Sequence, residues 1–411
     1  MRSPDGPDLQ RRLGTFDTVT IGLGSMVGAG IFVALAPAAA AAGSGLLIAL
    51  AVAAVVAFCN AMSSARLAAR YPESGGTYVY GRERLGPFWG HTAGWSFVVG
   101  KTASCAAMAL TVGYYVWPEY AKAVAVASVV ALTALGYAGI QKSALLTRVI
   151  VALVLAVLAM VVVVVLGFGD VDSSRLVPDG TGLGVLQAAG LLFFAFAGYA
   201  RIATLGEEVR DPEKTIPRAV PLALGIALVG YAAVAVAVLA QLGSAGLAAA
   251  DAPLSEAVRA AGFPALVPVV GVGAAIGALG ALLALLLGVS RTTLAMARDR
   301  HLPHLLAAVH PRHRTPYRAE LAVGIAVALL AAVVDVRSAI GFSSFGVLLY
   351  YAIANASALT LDAGRVLPAI GLVGCLVLAA TLPVTAVLAG TAVVLVGMLT
   401  YLAGGRRRHG V

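Results

Sequence analysis

Residues 22–32 read GLGSMVGAGIF, four glycines in eleven positions of an otherwise apolar run. Glycine costs a helix interior roughly 1 kcal/mol against alanine, so this stretch opposes the helix that its neighbours favour. Two readings stand. The helix is interrupted at its midpoint and releases backbone groups to a ligand, or its small residues let another backbone approach closely. The choice depends on the solvent around it.

That solvent is a bilayer. The chain of 411 residues is 60% hydrophobic and only 11% charged, and its mean hydropathy is +0.95. A soluble chain carries about a quarter charged residues. Apolar runs predict twelve spans: 18–40, 46–68, 88–116, 121–139, 144–168, 185–208, 219–242, 265–296, 319–335, 338–361, 366–381 and 383–403. The least distinct boundary is the one near Pro383. The fold class is therefore all-α and polytopic, without a soluble domain. A tail (1–17) precedes a core (18–361), two further helices (362–404) and a basic end (405–411).

Charge gives the orientation. With the N-terminus inside, 22 of the 28 Lys and Arg fall on the cytoplasmic side, and the outer loops hold only Lys122, Arg175, Arg259 and Arg337. The net charge of +9 is thus explained by topology and points to no nucleic acid. The polar start MRSPDGPDLQRR has no small-residue cleavage site, so no secretory signal is expected. Cys59, Cys105 and Cys375 lie singly in apolar runs and read as core residues. No metal-ligand spacing and no catalytic constellation occurs, so neither an enzyme nor a cofactor is expected.

A second interruption decides the first. The sixth span, in LLFFAFAGYARIATLGEEVRDP (191–212), is broken near its middle by Gly198. Spans one and six correspond if five helices are used twice in inverted orientation, and paired interrupted spans point to a transporter's substrate site. Half-helix N-termini suit a carboxylate and released carbonyls suit an ammonium. Such a site fits a zwitterion.

Four ordered motifs then resemble the amino acid–polyamine–organocation (APC) permeases: GSMVGAGIF (24–32), YPESGGTYVYGRERLGPFWGHTAGW (71–95), FFAFAGYARIATLGEEVRDPEKTIPRAV (193–220) and SRTTLAMARDRHLPHLLAAVHPRHRTP (290–316). The resemblance covers about residues 15–360. It implies the LeuT-like five-plus-five inverted repeat with discontinuous helices one and six, and two added C-terminal helices. It also implies alternating-access transport of amino acids or related amines. By resemblance, the substrate site takes Ser25, Met26, Val27, Gly28, Ala29 and Gly30, with amides around Gly28–Gly30 for the carboxylate and carbonyls near Met26 for the amine. Phe194 falls where the family places a gating aromatic, and Ala197 lies in the unwound turn.

The chain also departs from that pattern. The acid often found two residues after the helix-six glycine is missing, and Arg201 stands beside its place. Helix five carries no lysine beyond Arg148, and VPVVGVGAAIGALGALLALLLGVS (267–290) offers no hydroxyl before Ser290. Sodium at the usual helix-one/helix-eight site is therefore not expected. Lys101 and Arg201 remain as cations at membrane depth. Lys101 lies about fourteen residues into its span, or roughly 20 Å. A charge there costs at least ~3 kcal/mol unless paired or hydrated, which makes each a candidate for coupling. The bland readings are a hydrogen bond from Lys101 to the carbonyls of a broken helix, and for Arg201 snorkelling or pairing with Glu207 or Glu208. Glu207 and Glu208 with Arg291 and Arg298 are candidates for a cytoplasmic gate, against the alternative of solvated helix ends. The expected function is a bacterial inner-membrane permease, proton-coupled. The alternatives are an uncoupled amino acid or polyamine exchanger and a transporter-like sensor.

Overall fold

The computed structural model describes residues 13–71, 75–139, 144–199, 202, 209–311, 313, 315–361 and 364–406. Among them a helix occupies each of the twelve expected segments. Helix one is α1a (Thr15–Met26) followed by α1b (Gly30–Val33, continuing as Leu35–Ala42). Then come α2 (Leu46–Arg70), α3 (Pro87–Val116), α4 (Ala121–Tyr137), α5 (Ala144–Phe168) and α6 (Gly182–Phe196). The rest are α7 (Pro212–Ala249), α8 (Val267–Arg298), α9 (Tyr317–Val333), α10 (Val336–Leu359), α11 (Val366–Thr381) and α12 (Val384–Arg406). Counted with the 3-10 turns that adjoin them, ten of the described helices are long and apolar enough to cross a membrane; α9 and α11, at 17 and 16 residues, fall just short. At 1.5 Å per residue those two reach roughly 25 Å, which needs little tilt or slight thinning to span.

The packing repeats with a shift of five helices. Helix α1 packs on α5 and α7, and α6 packs on α10 and α2. The α5–α7 and α5–α8 contacts recur as α10–α2 and α10–α3, and α3–α4 recurs as α8–α9. The pairs α3–α8 and α4–α9 are their own counterparts. Since five is odd, the second set runs opposite to the first, which gives the inverted repeat. Outside it, α11 lies on α2 and α10, and α12 on α3 and α10.

Burial follows from this arrangement. The face of α1 toward α6, α7 and α8 is almost wholly enclosed, with Ala29 and Phe32 at 0% exposure. Leu145, Val149 and Val163 on α5, and Leu388 and Leu399 on α12, are exposed, as lipid-facing apolar side chains must be. The N-terminus of α1a, the α2–α3 and α8–α9 connections and the end of α12 share one end of the bundle, here termed the basic end.

Candidate functional site

Helix one is interrupted where the glycines cluster. The helix ends at Met26, Val27 closes it with its N–H on the Leu23 carbonyl at 2.7 Å, and the chain bends through Val27–Ala29 before α1b begins at Gly30. Among the described residues, the amides of Gly28 and Ala29 find no backbone acceptor. The released Met26 carbonyl accepts from the Tyr231 hydroxyl of α7 at 2.7 Å. The same hydroxyl lies 3.1 Å from the Ala195 carbonyl on α6, and with one proton it serves one acceptor at a time. Tyr115 of α3 plays a like part further along, donating to the Phe32 carbonyl at 2.7 Å, just before a second bend at Ala34.

The glycines are also packing residues, so the two sequence readings are both realised. A Cβ on Gly30 would lie 2.4 Å from the Ala195 Cα, and one on Gly28 2.5 Å from the Ala281 Cβ of α8. Beside Gly28 lies Gly277 as well, so the part of α8 facing the break carries no hydroxyl. Ser290, the first hydroxyl on that helix, bonds its own Leu286 carbonyl at 2.8 Å.

Helix six breaks against helix one. After Phe196 the chain tightens into a 3-10 turn, Ala197–Tyr199. A Cβ on Gly198 would sit 2.1 Å from the Ser25 carbonyl oxygen and 2.7 Å from the Met26 nitrogen. The two breaks thus meet backbone to backbone, and only glycine fits there. Arg201 lies outside the described residues. The released Ala197 carbonyl accepts from the Lys101 ammonium at 3.1 Å, with the Tyr351 hydroxyl at 3.5 Å. Lys101, 5% exposed, is held near by a close crossing of α3 on α10, where a Cβ on Gly100 would lie 3.2 Å from the Gly346 Cα. At this site the hydrogen bond from Lys101 to a broken helix, one of the two sequence readings, is what the structure shows.

The surrounding wall is aromatic. Tyr199 stacks on Tyr351 at 5.1 Å, Phe193 meets Tyr351 edge-on at 5.8 Å, and Phe196 lies 5.2 Å from Tyr231. Phe194 is buried at 7% exposure, one residue from the carbonyl that Tyr231 holds. Met26 and Val27 are buried, whereas Ser25 and Gly198 are half-buried. Sequence reading missed Tyr231, Tyr351 and Tyr115. A signal existed, because a lone tyrosine in an apolar span needs a partner for its hydroxyl.

At the basic end only the arginine half of the expected gate can be placed. Glu207 and Glu208 lie outside the described residues. Arg298 is exposed, and Arg291, also exposed, faces the buried Glu320 of α9. The ion pair that touches the end of α8 joins Arg82 to Asp299 at 3.0 Å, from the short helix Thr77–Leu85. Tyr78 donates to the same Asp299 oxygen at 2.5 Å and stands 2.9 Å from His301 Nδ1. If the single phenol proton goes to Asp299, His301 must donate from Nδ1. Burial, and then the Asp299 carboxylate, push the Tyr78 phenol up. At the opposite end, Asp179 accepts from the Ser44 N–H at 2.8 Å and its hydroxyl at 2.7 Å, which lowers its carboxyl and pins the end of α1b to the start of α6.

Comparison with known proteins gives the family. Residues 13–406 match the amino acid permease family. A Mycobacterium tuberculosis (strain ATCC 25618 / H37Rv) protein named as an uncharacterized transporter is 71% identical over 98% of this chain and 94% of its own. The branched-chain amino acid permease BcaP of Bacillus subtilis is 28% identical over 97% of this chain and 94% of its own. The cationic amino acid transporter 7 of Arabidopsis thaliana is also 28% identical, over 87% of this chain and 66% of its own.

Proposed function

Because the chain belongs to the amino acid permease family, whose members are transporters and not enzymes, we propose that it moves a neutral or anionic amino acid by proton-coupled alternating access. The membrane is the bacterial inner membrane, with both termini cytoplasmic. The observation that carries this reading is the contact of two broken helices at Ser25 and Gly198, with Lys101 bonded to Ala197 beside it.

The unpartnered amides of Gly28 and Ala29 suit a carboxylate, and Met26 offers a carbonyl for an amine when Tyr231 turns to Ala195. Ser25, Val27 and Gly30 frame the same turn, and Phe194 and Ala197 close it from α6. Lys101 makes this region positive. At about 6 Å and an effective dielectric of about 20, a second cation would cost ~3 kcal/mol, roughly a hundredfold in affinity. Coupling rests on Lys101 because arginine keeps its proton under these conditions. The hydroxyl-free face of Gly277 and Ala281 offers no side-chain oxygen for sodium.

Rocking between states requires the ends to open in turn. The Arg82–Asp299 pair with Tyr78 is the described contact that would part at the basic end, and Ser44–Asp179 the one at the other. Uptake of labelled leucine and arginine into proteoliposomes, with and without an imposed pH gradient, tests this reading. Accumulation of leucine driven by the gradient is expected. Tight arginine binding with weak leucine binding overturns the charge argument, and exchange indifferent to the gradient overturns the coupling.

A further inference from the structure

Several hydroxyls buried in this bundle satisfy themselves on the carbonyl one turn back: Thr111 on Ala107, Ser290 on Leu286, Ser357 on Ile353. Others find no partner among the described residues, Ser96, Thr133, Thr293 and Ser344 among them, and α2 carries three residues with such an unpartnered polar atom within one turn. On α2, Ser63 and Ser64 are 1% and 3% exposed, yet among the described residues their hydroxyls have no partner. One turn back, Asn60, fully buried, leaves its Nδ2 unpartnered. Opposite it on α10, the Oδ1 of fully buried Asn355 is also unpartnered. Two tyrosines of 1% exposure stand on neighbouring elements, Tyr199 beside the helix-six break and Tyr80 on the short helix at the basic end, and the Tyr80 hydroxyl has no hydrogen-bond partner among the described residues.

The pairing of the two amides fixes which atoms remain. Asn355 Nδ2 donates to Asn60 Oδ1 at 2.6 Å and to the Tyr351 carbonyl at 2.9 Å, and the Cys375 thiol donates to Asn60 Oδ1 at 3.3 Å. Exchanging O and N in Asn355 would set an acceptor against the Tyr351 carbonyl. One amide donor and one amide acceptor are therefore left, with hydroxyls on either side that can do both. Unmet buried polar groups cost ~1–3 kcal/mol each, so a strip of them in an apolar bundle requires an occupant. The occupant must donate and accept, be small, and be neutral. Among the described residues no carboxylate or imidazole stands on α2, α6, α10 or α11 to neutralise a cation, and the Asn60 amide donor repels one.

We infer that the strip Tyr199–Asn60/Asn355–Ser63/Ser64–Tyr80 is a water-filled passage along which a proton travels between Lys101 and the basic end. Tyr199 interacts with the side chains of both Asn60 and Tyr351, which joins the strip to the residues around Lys101. Tyr351 in turn shares the Ala197 carbonyl with Lys101. At the far end Tyr80 faces Tyr350, whose hydroxyl accepts from the Thr77 N–H at 3.0 Å. A water with two to four polar partners is held firmly in such a site. In the transfer, an Nζ–H bond of Lys101 breaks as a water gains the proton, each water passes one on, and the last releases one at the basic end. The reverse steps reprotonate the amine. This route rests on the reading of Lys101 as the proton carrier; the hydration of the strip does not.

Two measurements separate these. Radiolytic hydroxyl labelling with mass spectrometry reports side chains that touch bound water, and Tyr231, equally buried at 1% exposure but hydrogen-bonded, is the internal reference. Tyr199 and Tyr80 are expected to oxidise about tenfold faster than Tyr231, given waters at hydrogen-bond distance. Equal rates overturn the passage. The double variant Ser63→Ala/Ser64→Ala removes two hydroxyls with almost no change of volume. Its expected effect is at least a severalfold slower leucine accumulation under a pH gradient, with leucine counterflow at equal pH unchanged. Wild-type accumulation in that variant overturns the route while leaving a hydrated strip. A wild-type protein that ignores the gradient overturns both the route and Lys101 as carrier, and the labelling still decides the passage.

Discussion

The two broken helices set the same problem and solve it differently. At each, a carbonyl loses its helical partner inside the bilayer, where leaving it unmet would cost several kcal/mol. On helix one the Met26 and Phe32 carbonyls receive neutral phenols, Tyr231 and Tyr115. On helix six the Ala197 carbonyl receives an ammonium, Lys101. A phenol can hold a backbone in place but keeps its proton at neutral pH. An ammonium holds the backbone and also carries a charge that can leave. Structural support is therefore common to both breaks, and the proposed coupling falls on one.

The largest effect is expected where the breaks touch. Gly198→Val or Gly30→Leu drives a side chain into the backbone of the other helix, and overpacking of this kind costs ~1–3 kcal/mol or more. Substrate affinity by scintillation proximity should fall at least about a hundredfold, equivalent to roughly 3 kcal/mol, while the protein still inserts. Gly28→Ala should cost less only because it adds a single methyl, since the Ala281 Cβ that this methyl meets at 2.5 Å cannot move without α8. Unchanged affinity in Gly30→Leu would remove the site from the breaks.

Lys101→Ala comes next and divides the two breaks. Accumulation under an imposed pH gradient should be lost while counterflow persists, and Lys101→Arg, which keeps its charge, should block the full cycle. If Lys101→Ala concentrates substrate like the wild type, the ammonium is only a structural donor, equivalent to the phenols.

Tyr231→Phe should do the reverse. Removing that hydroxyl leaves Met26 and Ala195 carbonyls sharing no donor, a loss of ~1–2 kcal/mol seen as a lower melting temperature in detergent. Gradient-driven accumulation should survive. Its abolition in Tyr231→Phe, at a stability equal to Lys101→Ala, would collapse the distinction between the breaks. The smallest effect is expected from Tyr115→Phe, at about 1 kcal/mol or less, because its other contact, from the Leu254 N–H, is long at 3.4 Å. A melting curve distinguishes it from Tyr231→Phe.

Much of this was readable in the chain. The glycine runs at 22–32 and around Gly198 marked both breaks, and at the first the interruption and the close packing are both seen, since Gly28 lies in the unwound turn, Gly30 follows it, and they admit Ala281 and Ala195. Lys101 stood out because a charge among apolar residues has no local excuse. The expected gate stays an open reading, because Glu207 and Glu208 lie outside the described residues. Pairing Glu207 and Glu208 with Arg291 and Arg298 relied on helix ends alone, whereas the described ion pair on α8 comes from Arg82 on a short helix between α2 and α3. The position of that helix depends on its packing against α3 and α10, which no local pattern encodes.

What the sequence determined by itself is what a local balance of forces decides. Twelve apolar segments become helices because the bilayer leaves no other way to satisfy their backbone, and two of them break where glycine makes the helix least favourable. What tertiary structure decided is which group meets each released carbonyl. Tyr231 reaches Met26 across 205 residues and Lys101 reaches Ala197 across 96. Those partners are chosen by how α3 crosses α10 and α7 crosses α1. The crossings are set by shape at contacts such as Gly100 on Gly346, a property of two surfaces together and of neither segment alone.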